Sequence, residues 1–250
     1  MKKVFFLSDF HLGIDTDLPS KVREKHVVQW LDSIKEEAKE IYLLGDLLDY
    51  WFEYKYVVPK GFTRLFGKLA ELTDSGVRIE WYTGNHDMWT FGYLEKELGV
   101  SIQKTPKIRE INDKICFLCH GDGLSKGDVK YKMVKAILAN PICQLLFSMI
   151  PSRFGLWMMK RSSKGSRLSQ KEGSVNEQEK DEQLNKHFES ISKKTKVDYF
   201  IYGHLHNGKI RTLRNGTSKS INLGDWTKMW SYAEMDEKGN IRLLKYTIPS

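Results

Sequence analysis

The chain has 250 residues, 40% of them hydrophobic and 29% charged, so we expect an ordinary soluble globular fold rather than a disordered or fibrous one. Lysine and arginine outnumber aspartate and glutamate by 40 to 32, and the net charge of +8 favours an anionic partner: a phosphorylated substrate, a nucleic acid or an acidic membrane surface. No run approaches the ~18 apolar residues of a membrane-spanning helix, and the opening MKKVFFLSDF is too short in apolar residues for a signal peptide, so we expect a cytoplasmic protein.

Apolar runs and helical periodicity alternate along the first half of the chain. Runs at 4–7, 41–44 and 77–82 predict strands, and a 3.6-residue periodicity near 20–38 and 61–74 predicts helices between them. This alternation is typical of a parallel sheet covered by helices. The second half is richer in strand signals, which predicts a second sheet packed on the first. Its strand-like segments are KIREI, KICFLCH, VDYFIYGH, KIRTL, SKSINLGDW, WSYAEMD and IRLLKYTI.

The three cysteines are an odd number, which favours a reducing compartment over a disulfide framework. Cys116 and Cys119 form a C-x-x-C, but they lie within a predicted strand, where residues three apart face opposite sides. We therefore expect two buried core thiols rather than a redox pair.

Residues 128–195 interrupt the strand pattern with helical signals alone. Apolar residues recur with a 3.6-residue period between 134 and 150, and Pro141 and Pro151 punctuate the segment. From Pro151 to Lys171, six basic residues and no acid are interleaved with phenylalanine, tryptophan, leucine and methionine. We predict a basic and apolar helical lid over 128–195, inserted into a single domain spanning 1–250. The alternative is a helical excursion that only completes the core.

Five predicted strands end in side chains that bind metals. These are, in chain order, Asp9 and His11; Asp46 and Asp49; Asn85, His86 and Asp87; His120 and Asp122; and His204 and His206. Any one of them alone is typical of a turn or a cap. However, five of the seven histidines lie at strand ends, and sites in α/β sheets form beyond the carboxyl ends of strands. The pattern therefore predicts that these side chains converge on one site.

The candidate ligands combine imidazole, carboxylate and amide groups without a thiolate, which suits Mn, Fe or Zn in a catalytic site. The seven candidates are Asp9, His11, Asp46, Asn85, His120, His204 and His206. Seven ligands are too many for one ion, but they fit two divalent ions that share a bridging carboxylate. Such a pair of ions serves phosphoryl transfer, because it activates the nucleophile and neutralises charge on the phosphate oxygens.

The order of the motifs resembles the calcineurin-like metallophosphoesterase superfamily from residue 4 to about 230: D-x-H, G-D-x-x-D, G-N-H-D, H-G-D and G-H-x-H. The resemblance implies an α/β sandwich of two mixed sheets flanked by helices, with two divalent ions, Mn foremost and Fe or Zn as alternatives. One ion would be held by Asp9, His11, Asp46 and His206, and the other by the bridging Asp46 with Asn85, His120 and His204. The implied catalytic residues are Asn85 and His86, and His86 would act on the substrate phosphate as a charge stabiliser or general acid. Asp49 and Asp87 would orient histidines from behind the ligands.

The lid segment is similar to one branch of that superfamily, the bacterial UDP-2,3-diacylglucosamine pyrophosphatases, in HGDGLSKGDVKYKMVKAILANP and the later RSSKGSR. This similarity implies substrate contacts from the loop and lid in addition to the metal loops. The implied substrate-binding residues are Asn85, His86, Asp128, Ser163, Lys164, Arg167 and His204. The chain departs from the branch at one position, since the branch usually has arginine where this chain has His86.

The branch resemblance implies hydrolysis of UDP-2,3-diacylglucosamine to UMP and 2,3-diacylglucosamine 1-phosphate, a step of lipid A synthesis. The basic and apolar lid suits a peripheral position on the cytoplasmic face of the inner membrane. The alternatives are a metal-dependent phosphodiesterase or nuclease, and a scaffold without enzymatic activity. The lid aromatics lie among aliphatic residues, which favours a lipid over stacked bases, and the filled ligand positions favour an enzyme. The sequence leaves the oligomeric state open.

Overall fold

The computed structural model describes residues 2–124, 129–172 and 175–248, with side chains throughout except at 129, 130, 164, 166–172 and 175–177. Two mixed sheets form the centre of the fold. The first has the order β11 (Ile241–Lys245), β10 (Ser231–Met235), β1 (Lys3–Leu7), β2 (Ala38–Leu44), β3 (Arg78–Tyr82) and β4 (Ser101–Gln103). The second has the order β5 (Lys107–Ile111), β6 (Lys114–Leu118), β7 (Tyr199–Tyr202), β9 (Lys219–Asn222) and β8 (Lys209–Thr212).

Successive side chains of a strand point to opposite faces of its sheet, and this alternation produces separate apolar layers on the two faces. Phe5 of β1 faces the helices α1 (Ser20–Ile34), α2 (Thr63–Asp74) and α3 (Tyr93–Leu98), whereas its neighbour Phe6 faces the second sheet. The core between the two sheets includes Cys116, and the outer face of the second sheet includes Cys119. The two thiols are thus buried on opposite sides of β6, as the sequence predicts, and burial raises the pKa of Cys116 to about 12.

The parallel strands bring the motif loops to one edge of the sandwich. Leu7, Leu43 and Trp81 lie in register across β1, β2 and β3, so the loops that follow these strands leave the sheet together. In the second sheet, Leu118 of β6 pairs with Ile201 of β7 and aligns their loops likewise. The loops of the two sheets also bond to each other, since the Nδ1 atom of His120 lies 2.7 Å from the carbonyl oxygen of Leu44. All five motif loops therefore surround one place.

The segment predicted as a lid contains α4 (Val129–Ala139), α5 (Pro141–Ser148), α6 (Ser152–Glu172) and α7 (Val175–Ser192). Helix α7 buries Leu184 and Phe188 against Phe200 of the second sheet, so it forms the outer helical layer of that sheet. Helices α4–α6, called the lid helices below, present most of their apolar side chains to solvent instead. None of the helices in the described ranges is long and apolar enough to cross a membrane.

The fold class and the strands predicted from the sequence are confirmed, with two short elements missed. Helix α3 has six residues and β4 has three, which is too short for periodicity to distinguish them from a loop. The helix expected at 20–38 ends at Ile34, because β2 already begins at Ala38.

Candidate metal centre

The candidate ligands converge on one centre at the edge of the sandwich. His206 Nε2 lies 3.1 Å from Asp9 Oδ1 and 3.2 Å from His11 Nε2. On the other side, His120 Nε2 lies 3.2 Å from Asp46 Oδ2, and His11 Nε2 lies 3.9 Å from the same oxygen. Three overlapping groups have ligand atoms within 4.8 Å of one another: Asp9, His11 and His206; His11, Asp46 and His86; and Asp46, His120 and His204.

Contacts to oxygen atoms on the far side of the ring orient four of the five histidines. Each directs its Nδ1 atom at an oxygen: His11 at Asp49 Oδ1 (3.3 Å), His86 at the Asp49 carbonyl (2.8 Å), His120 at the Leu44 carbonyl (2.7 Å) and His206 at Asp225 Oδ2 (3.5 Å). An N–H donated outward leaves the lone pair of Nε2 facing the centre, as in metal-bound histidines. The inward Nε2 atoms of His11 and His206 are only 3.2 Å apart, so either a proton on one ring or a metal ion would relieve the repulsion between their lone pairs.

Several buried polar atoms at the centre have no hydrogen-bond partner within the described parts of the chain. They are Asp9 Oδ1, Asn85 Oδ1 and His120 Nε2. Asp9 Oδ1 and His120 Nε2 have only the ion-pair contacts to His206 and Asp46 described above. A buried polar atom without a partner, such as Asn85 Oδ1, costs about 1–3 kcal/mol and calls for an explanation. Carboxylate oxygen, amide oxygen and imidazole nitrogen are all donors for a divalent transition-metal ion. The residues present therefore fit bound metal.

Asp46 lies in the middle of the site. Its Oδ1 atom accepts a hydrogen bond from the backbone N–H of His86 (2.9 Å), which leaves Oδ2 to face His11, His86 and His120. Burial by itself would raise the pKa of Asp46, but His120 and His86 hold it well below its usual value. Likewise, burial would lower the pKa of His206, yet Asp9 and Asp225 raise it to about 10. The carboxylates thus favour positive charge at this centre.

The backbone is strained where it carries the ligands. Left-handed φ angles occur at Asp9 (58°), His11 (46°), Asp46 (54°), His204 (68°) and His206 (51°). Such conformations are unfavourable for residues with a Cβ and persist where the surrounding structure over-determines them, often at functional sites. Two glycines complete the close packing: a Cβ on Gly84 would overlap Asp46 Oδ1, and one on Gly203 would overlap Asp9 Oδ2.

Asp49 and Asp87 differ in what they support. Asp49 contacts His11 as the sequence predicts. Asp87 instead accepts the backbone N–H groups of Gly84 (2.7 Å) and Leu47 (2.9 Å), so the expectation that it orients a histidine is wrong. Asp87 thus joins the loop after β3 to the loop after β2.

The residues predicted to bind substrate are only partly covered by the structure. Ser163 is buried and donates its hydroxyl hydrogen bond to Asp49 Oδ2, which brings the lid to the back of the centre. Asp128 lies outside the described residues, as do the side chains of Lys164 and Arg167.

Sequence reasoning missed two buried supporting residues. Asp225 follows β9 in a Gly-Asp-Trp turn and contacts His206. Its position just after a predicted strand could have identified it from the sequence as a candidate. Arg23 on α1 donates to the carbonyl oxygens of His11 (2.7 Å) and Ile14 (2.8 Å), although it is fully buried. A charged residue on an amphipathic helix is normally read as exposed, so no local signal distinguishes it.

A sequence model of calcineurin-like phosphoesterases matches residues 2–208 of the chain. The chain belongs to the calcineurin-like phosphoesterase family. This phosphoesterase is 35% identical over 247 residues to the UDP-2,3-diacylglucosamine hydrolase of Porphyromonas gingivalis, a match that covers 94% of each chain. It is 28% identical to the enzyme of that name from Pseudomonas fluorescens SBW25, over 94% of this chain and 92% of the relative.

A further relative of the phosphoesterase is the UDP-2,3-diacylglucosamine hydrolase of Histophilus somni 129Pt, 25% identical over 96% of this chain and 98% of that one. Among solved structures, a conserved Streptococcus pneumoniae protein described as a predicted phosphoesterase aligns with a TM-score of 0.44 at 13% identity, over 98% of this chain and 89% of that chain. Family and curated relatives together make the phosphoesterase a hydrolase that uses divalent metal ions.

Proposed function

We propose that this phosphoesterase hydrolyses the diphosphate of UDP-2,3-diacylglucosamine, releasing UMP and 2,3-diacylglucosamine 1-phosphate in lipid A synthesis. The observation that carries the proposal is that lid helices with exposed apolar side chains lie beside a metal centre of phosphoesterase type. The chain also matches curated UDP-2,3-diacylglucosamine hydrolases along more than nine tenths of its length. The substrate needs both parts: its diphosphate requires positive charge, and its two acyl chains require an apolar surface.

The proposed centre holds two divalent ions, with Mn the first choice and Fe or Zn the alternatives. Asp9, His11, Asp46 and His206 would hold one ion, and Asp46, Asn85, His120 and His204 the other. Bound there, the ions supply a nucleophile at neutral pH and neutralise charge on the phosphate oxygens.

His86 is the proposed residue for the substrate phosphate, next to Asn85. Its Nδ1 atom lies 2.8 Å from the Asp49 carbonyl, so the other ring nitrogen, 4.0 Å from Asp46 Oδ2, faces the centre. From there His86 would stabilise charge on the phosphate or pass a proton to the departing UMP oxygen. Asp128, Lys164 and Arg167 remain proposed substrate contacts from the sequence, and the cationic pair would bind the diphosphate.

We also propose that the lid helices rest on the cytoplasmic face of the inner membrane. They carry a group of apolar side chains that are each at least 46% exposed, called the lid patch: Met133, Val134, Ile137, Ile142, Leu145, Leu146, Met149, Phe154, Trp157 and Met158. Exposed apolar groups of this size mark interaction surfaces. Arg153 and Arg161, exposed on α6, suit anionic headgroups, and an interfacial position would place acyl chains beside the centre.

Membrane binding should depend on the lid patch and not on exposed apolar residues elsewhere. Leu145→Glu is expected to lower partitioning onto phosphatidylglycerol vesicles at least ~10-fold, because an immersed leucine contributes about 1.5–3 kcal/mol. Vesicle co-sedimentation measures this, with turnover of bis-p-nitrophenyl phosphate expected to stay at the wild-type rate. Ile108→Glu is the matched control, since Ile108 is 45% exposed on β5. Equal partitioning of both variants would contradict the proposed membrane surface.

The proposed reaction is tested with a substrate panel and Mn. The phosphoesterase is expected to cleave UDP-2,3-diacylglucosamine with kcat/KM at least ~10²-fold above that for UDP-glucose, since only the first has acyl chains for the lid patch. Cyclic AMP and single-stranded DNA complete the panel. Preference for either of them would replace the proposed pyrophosphatase with a phosphodiesterase or a nuclease, and UMP in the product identifies the bond that is cleaved.

A further inference from the structure

We propose that Ser163 of lid helix α6 is a positioning residue of the metal centre: it holds Asp49, and Asp49 holds His11. The hydroxyl of Ser163 donates to Asp49 Oδ2, and the other oxygen of the same carboxylate lies 3.3 Å from His11 Nδ1. A residue of the lid is therefore two hydrogen bonds away from a candidate ligand, although Ser163 and Asp49 are 114 positions apart in the chain.

Burial makes this connection specific. Ser163 is 5% exposed and Asp49 is 1% exposed, so water cannot readily replace the hydroxyl if it is removed. Hydrogen bonds to a charged group contribute more than neutral ones, about 1.5–3 kcal/mol. Partners behind metal-bound histidines fix the ring orientation, and their loss typically weakens metal binding or activity by 10–100-fold. Ser163 would act at the lower end of that range, because it touches the partner and not the histidine.

The way in which α6 packs against the core explains why Ser163 is buried. Gly155, Met159 and Ser163 follow one another at four-residue spacing, and this row faces the core, whereas the neighbouring Arg161 and Ser162 are exposed. At Gly155 the helix approaches Tyr54 so closely that a Cβ would overlap the tyrosine hydroxyl. The hydrogen bond to Asp49 therefore depends on how α6 is seated.

A second lid helix contacts the opposite side of the centre. Tyr131 and Lys135 of α4 bond to Asp122 Oδ2 at 2.6 and 2.5 Å, two residues after the candidate ligand His120. The lid helices thus bond to Asp49 behind His11 and to Asp122 two residues after His120. By linkage, ions that favour the ordered centre should also favour the seated lid, by the same factor.

This inference rests on the metal centre proposed above but not on the lipid substrate. It also differs from the expectation that Ser163 contacts substrate, because the two roles change different quantities. A substrate contact affects KM for the lipid alone. A positioning residue affects metal affinity in the absence of any substrate, and it affects turnover of a substrate too small to touch the lid.

The test compares Ser163→Ala with Ser162→Ala, a matched change at the exposed neighbouring position. Mn affinity is measured on metal-free protein by competition with a chelator, and turnover is measured with bis-p-nitrophenyl phosphate. Ser163→Ala is expected to weaken Mn binding about tenfold and to lower kcat for the small substrate by a similar factor. Ser162→Ala should match the wild type, and Ser163→Thr should recover most of the loss because it keeps a hydroxyl. In an Asp49→Asn background, Ser163→Ala should have no further effect.

Gly155→Ala tests the same connection with Ser163 in place. The added Cβ meets the Tyr54 hydroxyl, so either Tyr54 or α6 must move, and a displacement of α6 should weaken Mn binding. Tyr54→Phe in the same chain removes the overlapping hydroxyl, which has no hydrogen-bond partner within the described residues, and should restore the affinity. Circular dichroism checks that each variant is folded.

The failures of the two proposals are distinguishable. A wild-type protein that binds no metal would overturn the metal centre itself. If the wild type binds Mn and Ser163→Ala binds it equally well, Ser163 is not a positioning residue. A Ser163→Ala variant with normal Mn affinity and a raised KM for the lipid would make Ser163 a substrate contact.

Discussion

Replacing Asp46 with alanine is expected to empty both metal positions and to lower turnover by about 10³-fold or more. Asp46 Oδ2 is the oxygen that faces His11, His86 and His120 together, so its removal takes away the group shared by both halves of the centre. Bound ions contribute several kcal/mol of transition-state stabilisation, and each 1.36 kcal/mol corresponds to a factor of ten in rate. Metal content by mass spectrometry and turnover of bis-p-nitrophenyl phosphate are the measurements.

Two further variants separate the metal role of Asp46 from general loss of structure. Asp46→Asn keeps the side-chain volume and the bond to the backbone of His86, but it removes the negative charge, so it should also lose metal. Asp74→Ala is the control, because Asp74 is an exposed carboxylate at the end of α2. An Asp46→Ala protein that keeps two metals and normal turnover would show that this carboxylate does not bridge.

His86→Ala is expected to lower kcat by about 10²–10⁴-fold while both metals stay bound, the range for a positioned acid or charge stabiliser. The side chain is held by the Asp49 carbonyl and faces the centre, so its removal leaves the phosphate without this group. Metal content and kcat measured on the same preparation check the prediction. His26→Ala serves as the control, since His26 on α1 is not a candidate ligand.

His86→Arg distinguishes the two roles of this residue. Arginine offers a permanent charge and a two-pronged grip on a phosphate, but it does not donate a proton at neutral pH. If His86 stabilises charge, His86→Arg should retain much more activity than His86→Ala; if it is a general acid, both variants should be similarly poor. Loss of metal from His86→Ala would instead make it a ligand, since His86 groups with His11 and Asp46. Wild-type turnover by His86→Ala would exclude all three roles.

The sheets were predictable from local sequence because each core strand is a short apolar run with a fixed direction. Parallel strands place their carboxyl ends at one edge, so the approach of Asp9 to Asp46 in the first sheet, and of His120 to His204 in the second, follows from where these residues stand in the chain. The ligand chemistry was equally local, since imidazole and carboxylate side chains at strand ends are recognisable without knowing their neighbours. Short elements such as β4 were missed, because three residues carry no periodicity.

The sequence by itself therefore determined the fold class, the loops that surround the centre and the chemical types of the candidate ligands. Only the tertiary structure showed which groups support the candidate ligands. Arg23 donates a hydrogen bond to the carbonyl oxygen of His11, Asp225 contacts the ring of His206, and Ser163 donates a hydrogen bond to Asp49. It also divided the predicted lid, assigning α7 to the core and leaving α4–α6 with an exposed apolar face. The physical reason is that these contacts join different elements of the fold, 114 positions apart in the case of Ser163 and Asp49, and a hydrogen bond between separate elements leaves no periodic trace in either segment.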